Sequence, residues 1–313
     1  MEQSDREKLH SIETKKSTVE QLIQQCVGFH SGFDQKWREK GHISSFHNQN
    51  HINATINAAV ALIRKAFSKE GSLDPLNLKG DFQRWNEIHP QSQITEYEFL
   101  EVVRLAFSMH DLGNIASGVR FDEKGELVLD YLDGYKAQRA EERSEQIAEL
   151  LINNSGLEAD KKQRYLTLIK YLIAQTTYEP NKEDKDKPLV IFARLVDQIG
   201  GNLFNNQTAQ DNFFGLVEEG VFENGKILIN PYRSFNFVNL RLSELVEDEE
   251  IRKQIFEAFG KEPPNNDERF RNEQIVIKKE ELDSLRKQNP SLVIQRLKEL
   301  LYKLPLDQSD KGS

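Results

Sequence analysis

Apolar positions along the chain recur mostly at helical spacing, and the elements they predict are nearly all helices. Val19, Leu22, Ile23 and Cys26 form a stripe within the first forty residues, which read as helix. A long helix is predicted from about His47 to Phe67, with Ser44-Ser45 as its cap. Its stripe is Ile52, Ile56, Ala59, Ile63 and Phe67. Residues 96–110, EYEFLEVVRLAFSMH, are apolar almost all round, as in a helix buried on most sides, and Gly113 reads as its stop. Residues 133–153 and 160–177 read as two amphipathic helices. Pro188, in the favoured first-turn position, opens a second apolar helix, PLVIFARLVDQIGG.

Between these helices the pattern breaks. Residues 68–95 are rich in Gly, Pro, Asp and Asn and read as an inserted loop, with Trp85 either part of a lid or an anchor. Residues 117–132 carry turn residues and a short hairpin around Glu123–Glu126, and 181–187 (NKEDKDK) read as a solvated loop. Beyond Asn202 the periodicity weakens. VFENGKILI (221–229) reads as a hairpin, since Asn224-Gly225 suits a tight primed turn. Residues 239–260 and 278–304 read as helical, separated by Pro263-Pro264-Asn265-Asn266, and the tail LDQSDKGS as frayed. The expected fold class is mostly α: a helical segment over 1–40, a helical domain over 41–205, and a C-terminal extension over 206–313, α with a minor β-hairpin, packed on the core.

Composition narrows the function classes. The chain has 313 residues, 37% hydrophobic and 30% charged, enough for a sizeable core under a charged surface. Its net charge of −9 disfavours duplex nucleic acid, whose phosphates call for clustered Lys and Arg. A small anionic substrate needs only local positive charge or a metal. Cys26 is the single cysteine, which excludes an intrachain disulfide and a cysteine-based zinc site and favours a reducing compartment. The polar opening MEQSDREKLHSIETKK has no apolar signal core, and no run approaches a membrane span. The expectation is a soluble, cytoplasmic protein.

Three imidazoles and two carboxylates carry the candidate chemistry. His47 and His51, in FHNQNH, are four apart and would share one helix face, with His51 on the flank of Thr55, Ala58 and Leu62. Two surface or capping histidines would look the same. His110-Asp111 closes the apolar run AFSMHDLGN, and a carboxylate there is costly unless a cation or donors compensate it. Asp197 lies in the other apolar helix, three residues after Arg194, where a structural ion pair is the simpler account. Taken together, His51, His110, Asp111 and Asp197 offer two nitrogens and two carboxylates, a set suited to Mn, Fe, Zn, Co or Mg, with the imidazoles arguing against a magnesium-only cage.

The order of these strings resembles the HD-domain superfamily of metal-dependent phosphohydrolases. FHNQNH is similar to the H-N-x-x-H string of class I cyclic-nucleotide phosphodiesterases and of some small bacterial HD hydrolases. The resemblance covers roughly residues 45–202, about half the chain. It implies an HD-like helical bundle in which His51, His110, Asp111 and Asp197 are metal ligands and His47 a proton donor. It further implies metal-activated water attacking phosphorus, with Asp111 orienting that water. There are departures: Asn114 stands in HDLGN where the two patterns place His or Lys. Ala140 stands in AEERSEQIA where many HD proteins add a histidine. Every histidine of this chain lies at or before His110, so one metal, or a second bridged by Asp111, is expected.

Asn48, Asn114, Arg139, Arg194 and Gln198 are the candidate substrate-binding groups. Lys136, Arg139 and Arg143 equally suit a solvated patch paired with Glu141, Glu142 and Glu145. Phe46, Tyr131 and Tyr135 are candidates to stack a base, while Phe192 suits the core. The expected function is a phosphohydrolase acting on a nucleotide or another small phosphoester. A degenerate HD domain that binds a ligand or protein without turnover, and a di-iron oxygenase, are the alternatives. The C-terminal hundred residues could complete the pocket, mediate a homodimer or recruit a partner.

Overall fold

The computed structural model describes residues 17–42, 46–68, 73–133, 139–177, 187–200, 226–229, 236–262 and 275–302. The protein is mostly helical, with two small antiparallel ribbons among the described residues. The helices are α1 Thr18–Glu39, α2 Gln49–Ala66, α3 Leu78–Ile88, α4 Glu96–Met109, the single turn α5 Leu112–Ile115, α6 Ala140–Asn153, α7 Ala159–Ala174 and α8 Pro188–Leu195. The last of these continues as a π-helical turn, Val196–Gly200. Further on come α9 Phe237–Leu245, α10 Glu249–Ala258, α11 Lys279–Gln288 and α12 Pro290–Tyr302.

Helix α4 is the axis of the core. Its N-terminus is a capping box, Thr95 accepting from the Glu98 amide while the Glu98 carboxylate accepts from the Thr95 amide. Phe99, Val102, Val103, Leu105, Ala106, Phe107 and Met109 are all buried on it. Helices α1, α2 and α7 pack against it, so its C-terminal end, with His110 and Asp111, lies inside the bundle. Of the helix predicted over residues 133–153, the part Ala140–Asn153 is described, preceded by Arg139 in the left-handed region.

The reading of residues 68–95 as a loop is corrected: α3 occupies the middle of that stretch. Asp74 accepts from the amides of Leu78 and Lys79, supplying a cap. Leu78, Phe82 and Trp85 then form a buried stripe. Trp85 stacks on His89 and leans on Tyr171, which makes it an anchor. The hairpin after the His-Asp pair is present as β1 Ala116–Phe121 and β2 Leu127–Tyr131, in antiparallel register.

In the C-terminal part, β3 Lys226–Ile229 pairs with β4 Ile275–Lys278, a long-range partner that local sequence did not predict. The Asn224-Gly225 turn of the expected hairpin lies outside the described residues, as do the Pro263–Asn266 breaker and the tail. The two C-terminal helical stretches are each split in two, at Val246–Asp248 and at Asn289. Leu242, Val246, Ile255, Phe256 and Ala258 join the same buried cluster as the N-terminal helices. Among the described residues, no helix is long and apolar enough to cross a membrane.

Candidate metal centre

Four segments deliver the candidate ligands. His51 is on the first turn of α2, His110 caps the C-terminus of α4, Asp111 forms the joint between α4 and α5, and Asp197 rides on the π turn after α8. The negative end of the α4 dipole adds to the preference for a cation here. One ligand atom from each residue lies within 4.8 Å of all the others. His110 Nε2 is 3.0 Å from Asp111 Oδ2 and 3.0 Å from Asp197 Oδ1. His51 Nε2 is 3.1 Å from Asp111 Oδ2 and 3.7 Å from Asp197 Oδ1. Ligands at about 2.1 Å from one ion stand about 3.0–3.4 Å apart in octahedral or tetrahedral arrangements; the His51–Asp111, His110–Asp111 and His110–Asp197 pairs match that spacing, and the His51–Asp197 pair is slightly wider.

The donor chemistry fits a cation as well as the spacing does. His110 Nδ1 is 2.9 Å from the Phe107 carbonyl; a carbonyl only accepts, so Nδ1 carries the hydrogen and Nε2 is turned to the cluster. Neither ring nitrogen of His51 completes a hydrogen bond among the described residues, nor does Asp111 Oδ2, although all three are buried. Buried polar atoms left this way cost about 1–3 kcal/mol each, which a shared cation would offset. Burial lowers the His110 imidazole, but Asp111 and Asp197 together outweigh it and hold it well above its ordinary value. Burial raises the Asp111 carboxyl, yet His110 and His47 bring it well below the usual range, and Asp197 is lowered chiefly by His110 against the same burial. Two carboxylates facing imidazoles in a buried site favour positive charge there, and a metal would compete with protons for the same lone pairs.

Close packing sets these positions. A Cβ at Gly113 would meet the Ala140 carbonyl at 2.0 Å and the Ser144 amide at 2.7 Å. Gly113 therefore does not stop a helix but lets α5 press against α6, where its amide donates to Ser144 Oγ and its carbonyl accepts from Arg143. Asn114, in the last place of HDLGN, donates from Nδ2 to Asp111 Oδ1 at 2.7 Å and so braces the carboxylate from its other oxygen.

His47 sits differently from the expectation. Its residue precedes the cap Asn48, whose Oδ1 accepts from the Asn50 and His51 amides, so His47 is in a turn and does not share a helix face with His51. Ser44-Ser45 lies outside the described residues. His47 Nε2 is 3.8 Å from Asp111 Oδ1, beside the ligand set but outside it. Phe46 packs across both imidazoles, with ring centroids 4.9 Å from His47 and 4.4 Å from His51.

The candidate substrate groups divide. Asn114 reaches the cluster, and Asn48 serves as a helix cap. Arg194 is buried on α8. Gln198 accepts from Arg241 Nε at 2.7 Å. Arg139 is exposed and paired with Glu142, the solvated-patch arrangement. Tyr131 donates its hydroxyl to the Phe29 carbonyl, and Phe192 is core. Lys136 and Tyr135 lie outside the described residues. Sequence reasoning missed His30 near the centre and placed Glu141 in a solvated patch. His30, fully buried on α1, has Nδ1 2.8 Å from the His47 carbonyl. The signal was present: a histidine continuing the apolar spacing of Cys26 toward Phe33 and Trp37. Glu141, half-buried at the start of α6, has its carboxyl raised by burial and then by Asp111 and Asp197, which places it in the field of the cluster.

No family model, curated protein or solved structure matches the chain. The helical fold and the buried His/Asp cluster able to hold a metal are compatible with an HD-type site.

Proposed function

We propose that this protein is an HD-type phosphohydrolase that uses a divalent metal to cleave a phosphoester of a nucleotide or a similar small molecule. The observation that carries the reading is the convergence of His51, His110, Asp111 and Asp197, in that chain order, at ligand spacing. When bound, a divalent cation supplies Lewis acidity that polarises a phosphoryl oxygen and acidifies water. The protein's own groups do the rest. Phe107 fixes the His110 ring, and Asn114 fixes Asp111. His47 Nε2 stands 3.8 Å from Asp111 Oδ1, placed to give a proton to a leaving oxygen as general acid. Phe46 covers His47 and His51, limiting their contact with water.

A second reading, a ligand-binding module without turnover, is favoured by one observation. Two of the nominated substrate groups, Arg139 and Gln198, are engaged with Glu142 and Arg241. Metal-stripped protein reloaded with Mn, Fe, Zn, Co or Mg, and assayed on phosphomonoesters, cyclic nucleotides and chromogenic diesters, separates the two. The hydrolase reading expects turnover with at least one metal, abolished in Asp111→Ala. In His47→Ala metal is retained and the rate falls by about a hundredfold. Metal retained with no turnover on any substrate favours the binding module, and iron-dependent oxygen uptake would favour the oxygenase.

A further inference from the structure

We propose that His30 is a positioning residue for His47, holding the main-chain turn from which His47 faces Asp111. The inference rests on the reading of His47 as proton donor, since positioning matters only if that ring acts.

The argument begins on α1. Cys26, His30, Phe33 and Trp37 are buried along one side of this helix, and His30 is the polar member of an otherwise apolar row, with no exposed surface. Cys26 is not a rival functional group, because burial pushes its thiol up to about 12. His30 Nδ1 lies 2.8 Å from the carbonyl oxygen of His47, seventeen residues later. A carbonyl can only accept, so the ring donates from Nδ1. Nε2 is then a buried lone pair without a hydrogen-bond partner among the described residues, which fits a neutral ring. A neutral donor suits the place: it ties down the His47 backbone without adding charge beside Asp111 and His110, whose fields both reach His30.

His47 needs such a tie. It stands before the helix cap, and the first backbone bond of α2 runs from Ile52 to the Asn48 carbonyl, one residue further on. The Asn48 side chain fixes the following turn, and His30 fixes the carbonyl preceding it. His47 Nε2 approaches Asp111 Oδ1 to 3.8 Å from this pinned turn. A displacement of about 1 Å at a catalytic group can reduce the rate by about a hundredfold.

The test compares His30→Leu, His30→Asn and His30→Gln in the full-length, metal-loaded protein. It reads metal content, kcat and KM on bis(p-nitrophenyl) phosphate, and the His47 ring resonances in histidine-labelled protein. His30→Leu should keep its metal, lose about tenfold or more in kcat with KM little changed, and shift the His47 resonances. His30→Asn, whose amide replaces the Nδ1 donor, should recover most of the rate. Equal impairment of Leu and Asn would mean packing alone, and wild-type behaviour in both would mean no role; either overturns the proposal. If His30→Leu does not fold, His30→Asn should still exceed His30→Gln, and equal rates overturn it. If the wild type hydrolyses no phosphoester, the functional reading fails separately. The resonances then decide alone: unshifted His47 signals in the Leu variant, or in Gln if Leu does not fold, overturn the positioning role.

Discussion

Gly200 and Ala58 meet where no side chain at position 200 could fit. A Cβ on Gly200 would lie 2.6 Å from the Ala58 Cβ. This contact joins the π turn carrying Asp197 to the helix carrying His51. Gly200→Ala should therefore push the two apart and draw Asp197 away from His110. The expected result is about tenfold or greater loss of metal affinity by calorimetric titration, with stability reduced by about 1–3 kcal/mol. Adding Ala58→Gly should restore much of both, because it vacates the space the new methyl needs. Wild-type metal affinity in Gly200→Ala would show that this contact does not set the ligand geometry.

Asn114 is the second lever. Its amide bonds one oxygen of Asp111 and leaves the other to face His51 and His110. Loss of groups that orient a metal ligand typically weakens binding by about 10–100-fold. Asn114→Ala should fall in that range in a competition titration against a chelator, with the fold unchanged by circular dichroism. An unchanged affinity would assign Asn114 to the substrate instead.

His30 gives a pH signature. Burial, only partly opposed by Asp111, lowers its imidazole to about 3. The unfolded chain protonates this ring near its ordinary value of about 6.5, while the folded protein does not. Stability from the unprotonated ring is thus complete above about pH 6.5 and is lost as pH falls toward 3, at up to about 1.4 kcal/mol per pH unit. His110 works in the opposite sense, since its raised imidazole stabilises the fold at low pH and loses that contribution as pH rises. Comparison with His30→Asn isolates the His30 part. Urea unfolding at about pH 7 and about pH 4.5 should show wild type losing roughly 2–3 kcal/mol more than the variant. Parallel losses would mean that the ring is protonated in the folded state.

The four clustered positions drew notice because their surroundings make them unusual: a histidine beside a core stripe, a histidine and a carboxylate at the end of an apolar helix, and a carboxylate inside another. The covering helices were legible for the same reason, through spacing. Three things were hidden. The short α3 was masked by the Gly, Pro and Asn around it, although Leu78, Phe82 and Trp85 carried its period. Gly113 read as a helix stop because local pattern cannot reveal that α6 lies against it. The β3–β4 pairing and the His30–His47 bond depend on chain segments far apart in sequence, and a histidine at helical spacing does not announce its partner.

The central claim, that His51, His110, Asp111 and Asp197 form a metal site, is tested most directly by elemental analysis of purified wild type and of the double variant His110→Ala, Asp111→Ala. Wild type should carry about one to two equivalents of Mn, Fe, Zn or Co, or acquire them on reconstitution, and the double variant should retain essentially none while remaining helical. No metal in wild type even after reconstitution, or equal metal in both proteins, would contradict it.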